Sequence, residues 1–145
     1  MLFRSQLYAA HGCHSILVDA TCSSGVADNL YMWGNANRSF STIAWMASWK
    51  SRDVNRYSNA RTESWCVMRD WLKTGGSLDN DKCWDELSGV TFVYKDREQI
   101  ALESKKKLAK SPDEGDALAM SLWIADEEKP QEIAAQGRSV GGYIG

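Results

Sequence analysis

The sequence predicts an α/β fold in which short parallel strands and a β-hairpin are packed by helices. A short apolar run, Ser15 to Val18, ends on an acid, Asp19, as a buried strand does when its C-terminal end presents a carboxylate. Two alternating runs, Val90 to Tyr94 and Gln99 to Leu102, flank the charged stretch Lys95-Asp96-Arg97-Glu98, the pattern of a hairpin with a longer loop. Two segments with apolar residues at helical spacing, 59–74 and 111–123, supply the covering layer.

The elements follow in order. Leu2 to Ala10 reads as the end of a helix, and Ser15 to Asp19 as the first strand. Gly25 to Tyr31 reads as a short helix with Val26 and Leu30 on one face, and Tyr31 to Trp33 as a second parallel strand stopped by Gly34 and Asn35. Asn35 to Tyr57 mixes Ser, Arg and Asn with scattered tryptophans. It reads as a long loop with a helical turn around Ile43 to Trp49, and long loops in compact domains are often functional or mobile. Ser58 or Asn59 caps a helix through Thr74 with Trp65, Met68 and Leu72 as its stripe, and Gly75-Gly76 end it. Lys82 to Leu87 reads as a short helix, followed by the hairpin and a polar stretch, Ser104 to Lys110. After Ala125 the chain turns polar and glycine-rich, which predicts a flexible tail over 127–145.

Composition narrows the function classes. A chain of 145 residues supports one domain with a modest core, and its seven tryptophans predict a core of large rings. No apolar run reaches membrane-spanning length and no signal-peptide pattern is present, so the expected setting is the cytoplasm, away from membranes. A net charge of −2 argues against a generally basic nucleic-acid binder but leaves room for a local basic track. Lys50, Arg52 and Arg56 form one basic patch and Lys105, Lys106 and Lys107 another; solvated surface accounts for both. The cysteines, Cys13, Cys22, Cys66 and Cys83, show no CxxC spacing, which argues against a disulfide framework. His11, Cys13 and His14 lack a fourth ligand at a zinc-site spacing.

The chemistry-bearing residues are acids. In SPDEGDALAMSLW, Ser111 suits an N-cap, Pro112 the first helical position, and Glu114 a capping box with Ser111. Asp113 and Asp116 then share a face, and Asp116 lies on the apolar stripe of Ala119, Met120 and Trp123. A carboxylate there is costly unless paired, and a divalent metal is one partner. With Asp19, the three acids form a candidate metal-dependent hydrolytic site. The structural alternative is that Asp19 terminates a strand, Asp113 and Glu114 complement the helix dipole, and Asp116 bonds a backbone group.

An ordered set of short motifs adds to this. Val18-Asp19-Ala20-Thr21 with Gly25-Val26-Ala27-Asp28-Asn29-Leu30 resembles the VDATG…GV.D.L segment of phage terminase large subunits, and Asn59-Ala60-Arg61-Thr62-Glu63-Ser64-Trp65 resembles their N.RAE.W helix. Trp71-Leu72-Lys73-Thr74-Gly75-Gly76 and Asp85-Glu86-Leu87 follow in the family's order. Leu102-Glu103-Ser104-Lys105 resembles their LESK, and Ser111 to Leu118 their SPD..DAL. The likeness runs from about Ile16 to Trp123.

The resemblance implies the C-terminal nuclease domain of a DNA-packaging enzyme, a ribonuclease-H-like fold that cuts double-stranded DNA by two-metal phosphodiester hydrolysis with Mg²⁺ or Mn²⁺. It implies catalytic and metal-binding roles for Asp19, Asp113 and Asp116, and a DNA contact for Lys105. A portal or small terminase subunit is the implied protein partner, and the host cytoplasm the implied setting. The chain departs from the family's pattern in three respects. It has no GxxxxGK[ST] phosphate loop, so no ATPase domain is expected. The opening strands with the first catalytic acid have no counterpart, so residues 1–126 are expected to form only the C-terminal portion of the domain. Cys22 stands where the family has Gly. Missing strands would leave the first strand with an exposed edge that invites self-association. The alternative expectation is therefore a non-catalytic terminase remnant that binds DNA or a packaging partner.

Overall fold

The computed structural model describes residues 15–21, 25–37, 40–79, 81–95, 98–104, 107–108 and 110–127, without the side chains of 35–37, 83, 126 and 127. The expected helix over Leu2 to Ala10, the His11/Cys13/His14 cluster, Cys22, Lys105 and Lys106 lie outside the described residues. So does the expected tail beyond Glu127.

Strand β1 (Ser15–Asp19) pairs in parallel with β2 (Ser41–Trp45), with Asp19 opposite Trp45. Helix α1 (Gly25–Asn37) makes the crossover. Two expectations fail here. Tyr31 to Trp33 is helical, and the partner strand lies inside the segment read as an irregular loop. Parallel strands are joined by a crossover of roughly a dozen residues or more; here it runs over 20–40, and Tyr31 to Trp33 lie inside its helix. Ala27, Leu30 and Gly34 instead form the inner face of α1. Gly34 is required there, because a Cβ would stand 2.7 Å from the Phe40 carbonyl oxygen.

Helix α2 (Ala60–Lys73) matches its expected bounds. The Asn59 side chain accepts from the Thr62 N–H at 2.9 Å, which selects Asn59 over Ser58 as the N-cap. Gly75 takes φ +106 and the Gly76 N–H reaches the Trp71 carbonyl, closing the helix as its glycines predict. A 3₁₀ helix (Lys82–Gly89) follows, then the antiparallel hairpin of β3 (Phe92–Tyr94) and β4 (Ile100–Leu102). Helix α3 (Asp113–Glu127) closes the described chain.

The irregular stretch 46–59 has a fixed path, because its backbone groups find partners in the surrounding elements. The N–H groups of Ala60 and Arg61 reach the carbonyls of Trp49 and Ala47, and Ser58 and Arg56 bond to Ile100. Buried Ser51 donates to the Tyr57 carbonyl at 2.8 Å. Arg52 is not simply solvated: its guanidinium lies 4.0 Å from the centre of a Trp123 ring and donates to the Trp123 carbonyl.

Helices α2 and α3 form the spine, with apolar clusters on two sides. Trp45, Ala60, Met120 and Trp123 join the spine to the parallel strands; Trp65, Met68 and Ala119 join it to the hairpin and the 3₁₀ helix. Trp45 and Trp123 meet edge-on at 6.4 Å. Among the described residues no helix is long and apolar enough to cross a membrane.

The seat of α3 on this spine is close. A Cβ at Gly115 would come within 2.7 Å of Leu87 Cδ2 and 2.9 Å of Trp65 Cη2. Gly115→Ala is expected to lower stability by about 1–2 kcal/mol, overpacking outweighing the gain in helix propensity. Urea unfolding checks this; a midpoint at or above that of the unsubstituted chain would contradict the close seat.

Candidate functional site

Asp19 stands at the C-terminal end of β1, where the paired strands finish together. The Ala20 N–H extends the ladder to the Trp45 carbonyl at 2.8 Å, and Ala20 is buried. Thr21 holds the turn from both ends: its N–H donates to Asp19 Oδ1 at 2.9 Å, and its hydroxyl accepts from the Ala47 N–H at 3.0 Å. The four residues Val18 to Thr21 thus end a strand, plug the space beneath it and fix an exposed carboxylate at the rim.

The other two acids lie in the first turn of α3. The expected cap is shifted by one residue. The Asp116 N–H bonds to the Pro112 carbonyl at 2.8 Å, which puts Pro112 rather than Ser111 at the N-cap. Proline offers no side-chain acceptor, so the open Gly115 N–H is taken by Glu86 Oε1 of the 3₁₀ helix at 2.7 Å. The side chain of Glu86 is largely buried, and its other oxygen lies 3.7 Å from the Lys110 ammonium, beyond hydrogen-bond reach. The Ser111 hydroxyl, freed from capping, donates to Asp113 Oδ1 at 2.6 Å.

Asp113 is exposed, whereas Asp116 is drawn into the protein and bonded from α2. Arg61 Nε donates to Asp116 Oδ1 at 2.9 Å, and Trp65 Nε1 donates to the same oxygen at 2.7 Å. Arg61 Nη2 stands 3.5 Å from Oδ2. The side chains of Arg61 and Asp116 are 12% and 15% exposed.

Asp19, Asp113 and Asp116 line one cleft of about 210 Å³, with Trp45, Ala117 and Met120 as its apolar walls. The structure therefore brings all three acids singled out in the sequence to the same recess. They do not converge tightly: among the described residues, no group of three or more His, Cys, Asp or Glu is drawn together as metal ligands. The donors are carboxylate oxygens alone, a chemistry that fits a hard divalent cation held by one or two carboxylates and several waters. Asp19 and Asp113 each have one oxygen that no described group bonds.

Other titratable groups do not add to this cleft. A second recess of about 260 Å³ is lined by Asp85, Glu86, Lys107 and Lys110, so its acids and bases offset each other. Lys107 bonds Glu103 at 2.7 Å, which raises the Lys107 pKa. Glu103 lies below the ordinary carboxylate range because Lys107, and then the Thr91 hydroxyl, bond its charged form. Cys66 is buried, and burial pushes its thiol pKa up, away from nucleophilic use.

Sequence reasoning missed the residues that hold the acids. Arg61 and Trp65 lie in the motif-bearing stretch 59–65, but their link to Asp116 spans more than 50 positions and has no local signature. Glu86 likewise sits in a flagged segment without a hint that it caps α3.

No protein-family model matches the chain, and no curated protein matches it in sequence. Solved structures do match. The nuclease domain of the large terminase subunit gp2 of bacterial virus Sf6 superposes with a TM-score of 0.67 at 16% identity, covering 83% of this chain and 69% of that one. A mutant of that nuclease domain with manganese gives a TM-score of 0.67 at 16% identity, covering 83% and 70%. A mutant form with calcium gives 0.66 at 16% identity, covering 83% and 69%. The expected fold class is thus the observed one: a mixed α/β, ribonuclease-H-like fold shared with a terminase nuclease domain.

The bonding pattern separates the acids by stability. Asp116→Ala leaves the Arg61 guanidinium and the Trp65 N–H without their acceptor and is expected to cost about 1–3 kcal/mol. Asp113→Ala removes an exposed group and is expected to stay within about 0.5 kcal/mol. Denaturant midpoints of the two variants check the ranking.

Proposed function

We propose that this chain carries the metal-dependent nuclease site of a phage terminase large subunit and acts on double-stranded DNA. The observation that carries the proposal is the shared cleft: an acid from a strand end and two from a helix start line one recess. The fold supports it, being that of a nuclease domain solved with manganese and with calcium. Asp19 and Asp113 offer open carboxylate oxygens to a Mg²⁺ or Mn²⁺ ion, and Asp116 is the third acid. When bound, two such ions would activate a water and stabilise the leaving oxygen of a phosphodiester. The chain's own residues set the stage for that chemistry. Thr21 orients Asp19, Ser111 orients Asp113, and Trp45 with Met120 keeps one wall of the cleft apolar. Lys105 is proposed to meet a DNA phosphate. The host cytoplasm and a portal or small terminase subunit belong to the same proposal, as does self-association through β1, which has one ladder partner among the described residues.

One observation favours a second reading. Asp116 is already bonded by Arg61 and Trp65, as suits a structural acid in a terminase remnant that binds DNA or a packaging partner without cutting.

Plasmid cleavage in Mn²⁺ distinguishes the two. Asp19→Asn and Asp113→Asn are expected to reduce nicking at least ~100-fold, the upper range for loss of a metal site's supporting groups, with unfolding midpoints unchanged. Asp116→Asn keeps the shape of the side chain and is expected to fall with them. DNA binding that needs no metal and weakens steeply with salt, without cleavage, would favour the remnant and remove the nuclease.

A further inference from the structure

We propose that Arg61 is a positioning residue that stands in for the metal at Asp116, so that an entering divalent ion and the Arg61 guanidinium exchange places on one carboxylate. The inference rests on the metal-dependent reading of the cleft and adds the residue that controls access to its third acid. Three carboxylates around a 210 Å³ recess repel one another unless a cation lies among them. Among the described residues neither Asp19 nor Asp113 has an ion pair, whereas Asp116 has Arg61 at 2.9 Å. The pair is largely withdrawn from water, so bulk salt screens it little.

The placement of Arg61 allows both states. Its backbone is fixed, with the N–H on the Ala47 carbonyl at 3.2 Å, so the side chain moves while its root stays. Its guanidinium carbon already lies 5.9 Å from the centre of a Trp65 ring. That π face is a second resting place for a displaced guanidinium. Trp65 is also the reporter, because its N–H donates at 2.7 Å to the same Oδ1 that Arg61 holds. A divalent ion drawn to that carboxylate repels the guanidinium and withdraws electron density from the oxygen that Trp65 bonds.

The test uses the full chain with Mg²⁺ or Mn²⁺ alone. Mg²⁺ is expected to shift the Trp65 indole N–H resonance, identified with Trp65→Phe, along the calorimetric binding curve. The Trp123 N–H, bonded to buried Glu63 at 2.9 Å, serves as the control and stays in place. Arg61→Gln is expected to bind Mn²⁺ at least roughly fivefold tighter, the lower end of the usual coupling between two competing ligands; Arg61→Lys keeps the charge and stays near the unsubstituted chain. Metal binding with an unmoved Trp65 resonance, or a folded Arg61→Gln with equal or weaker affinity, overturns the exchange and leaves the nuclease proposal standing. If Arg61→Gln does not fold, the Trp65 resonance decides alone. Failure of the unsubstituted chain to bind either ion overturns both.

Discussion

Each helix of the spine presents an indole to a carboxylate on the other. Trp65 on α2 donates to Asp116 on α3, and Trp123 on α3 donates to Glu63 on α2. Both indoles are almost wholly buried, and so is Glu63. A buried indole N–H needs an acceptor, and a buried carboxylate needs donors; each group here answers the other's requirement. The remaining demand of each acid is met by arginine, Arg61 for Asp116 and the Arg52 backbone N–H for Glu63. The apolar clusters on both sides of the spine and the cleft at its end follow from this reciprocal lock.

The lock explains why one acid differs from its neighbours. Asp19 and Asp113 sit at chain turns and are held by local hydrogen bonds to Thr21 and Ser111. Asp116 is held across the helix pair, so the group nearest the core is also the one whose charge is already offset. A carboxylate shared between packing and a reactive cleft is constrained in both: its position is well fixed, and its negative charge is partly committed.

What the sequence made legible were features with local signals. The apolar run into Asp19, the N-cap at Asn59, the glycines after Thr74 and the alternating hairpin runs all act within a few residues. The acids could be phased because proline and the apolar stripe of α3 set a register, although the cap itself moved to Pro112. Strand β2 was not legible. Its five residues lie among serines and polar residues, and the aromatic Tyr31-Met32-Trp33 offered a stronger but false strand signal. What decides between the two is the helical inner face of Ala27, Leu30 and Gly34, which only the packing reveals. The partners of Asp116 were hidden for a related reason, since hydrogen bonds between distant helices leave no periodicity to detect.

The cap on α3 has a consequence for how the molecule assembles. A helix that begins at proline, with its open Gly115 N–H taken by a glutamate 29 positions upstream, carries little of its own start signal. Its first turn, with two of the three acids, gains that partner only when the 3₁₀ helix has docked. The arrangement of carboxylates at the end of the spine is therefore a product of docking rather than of the helix's own sequence.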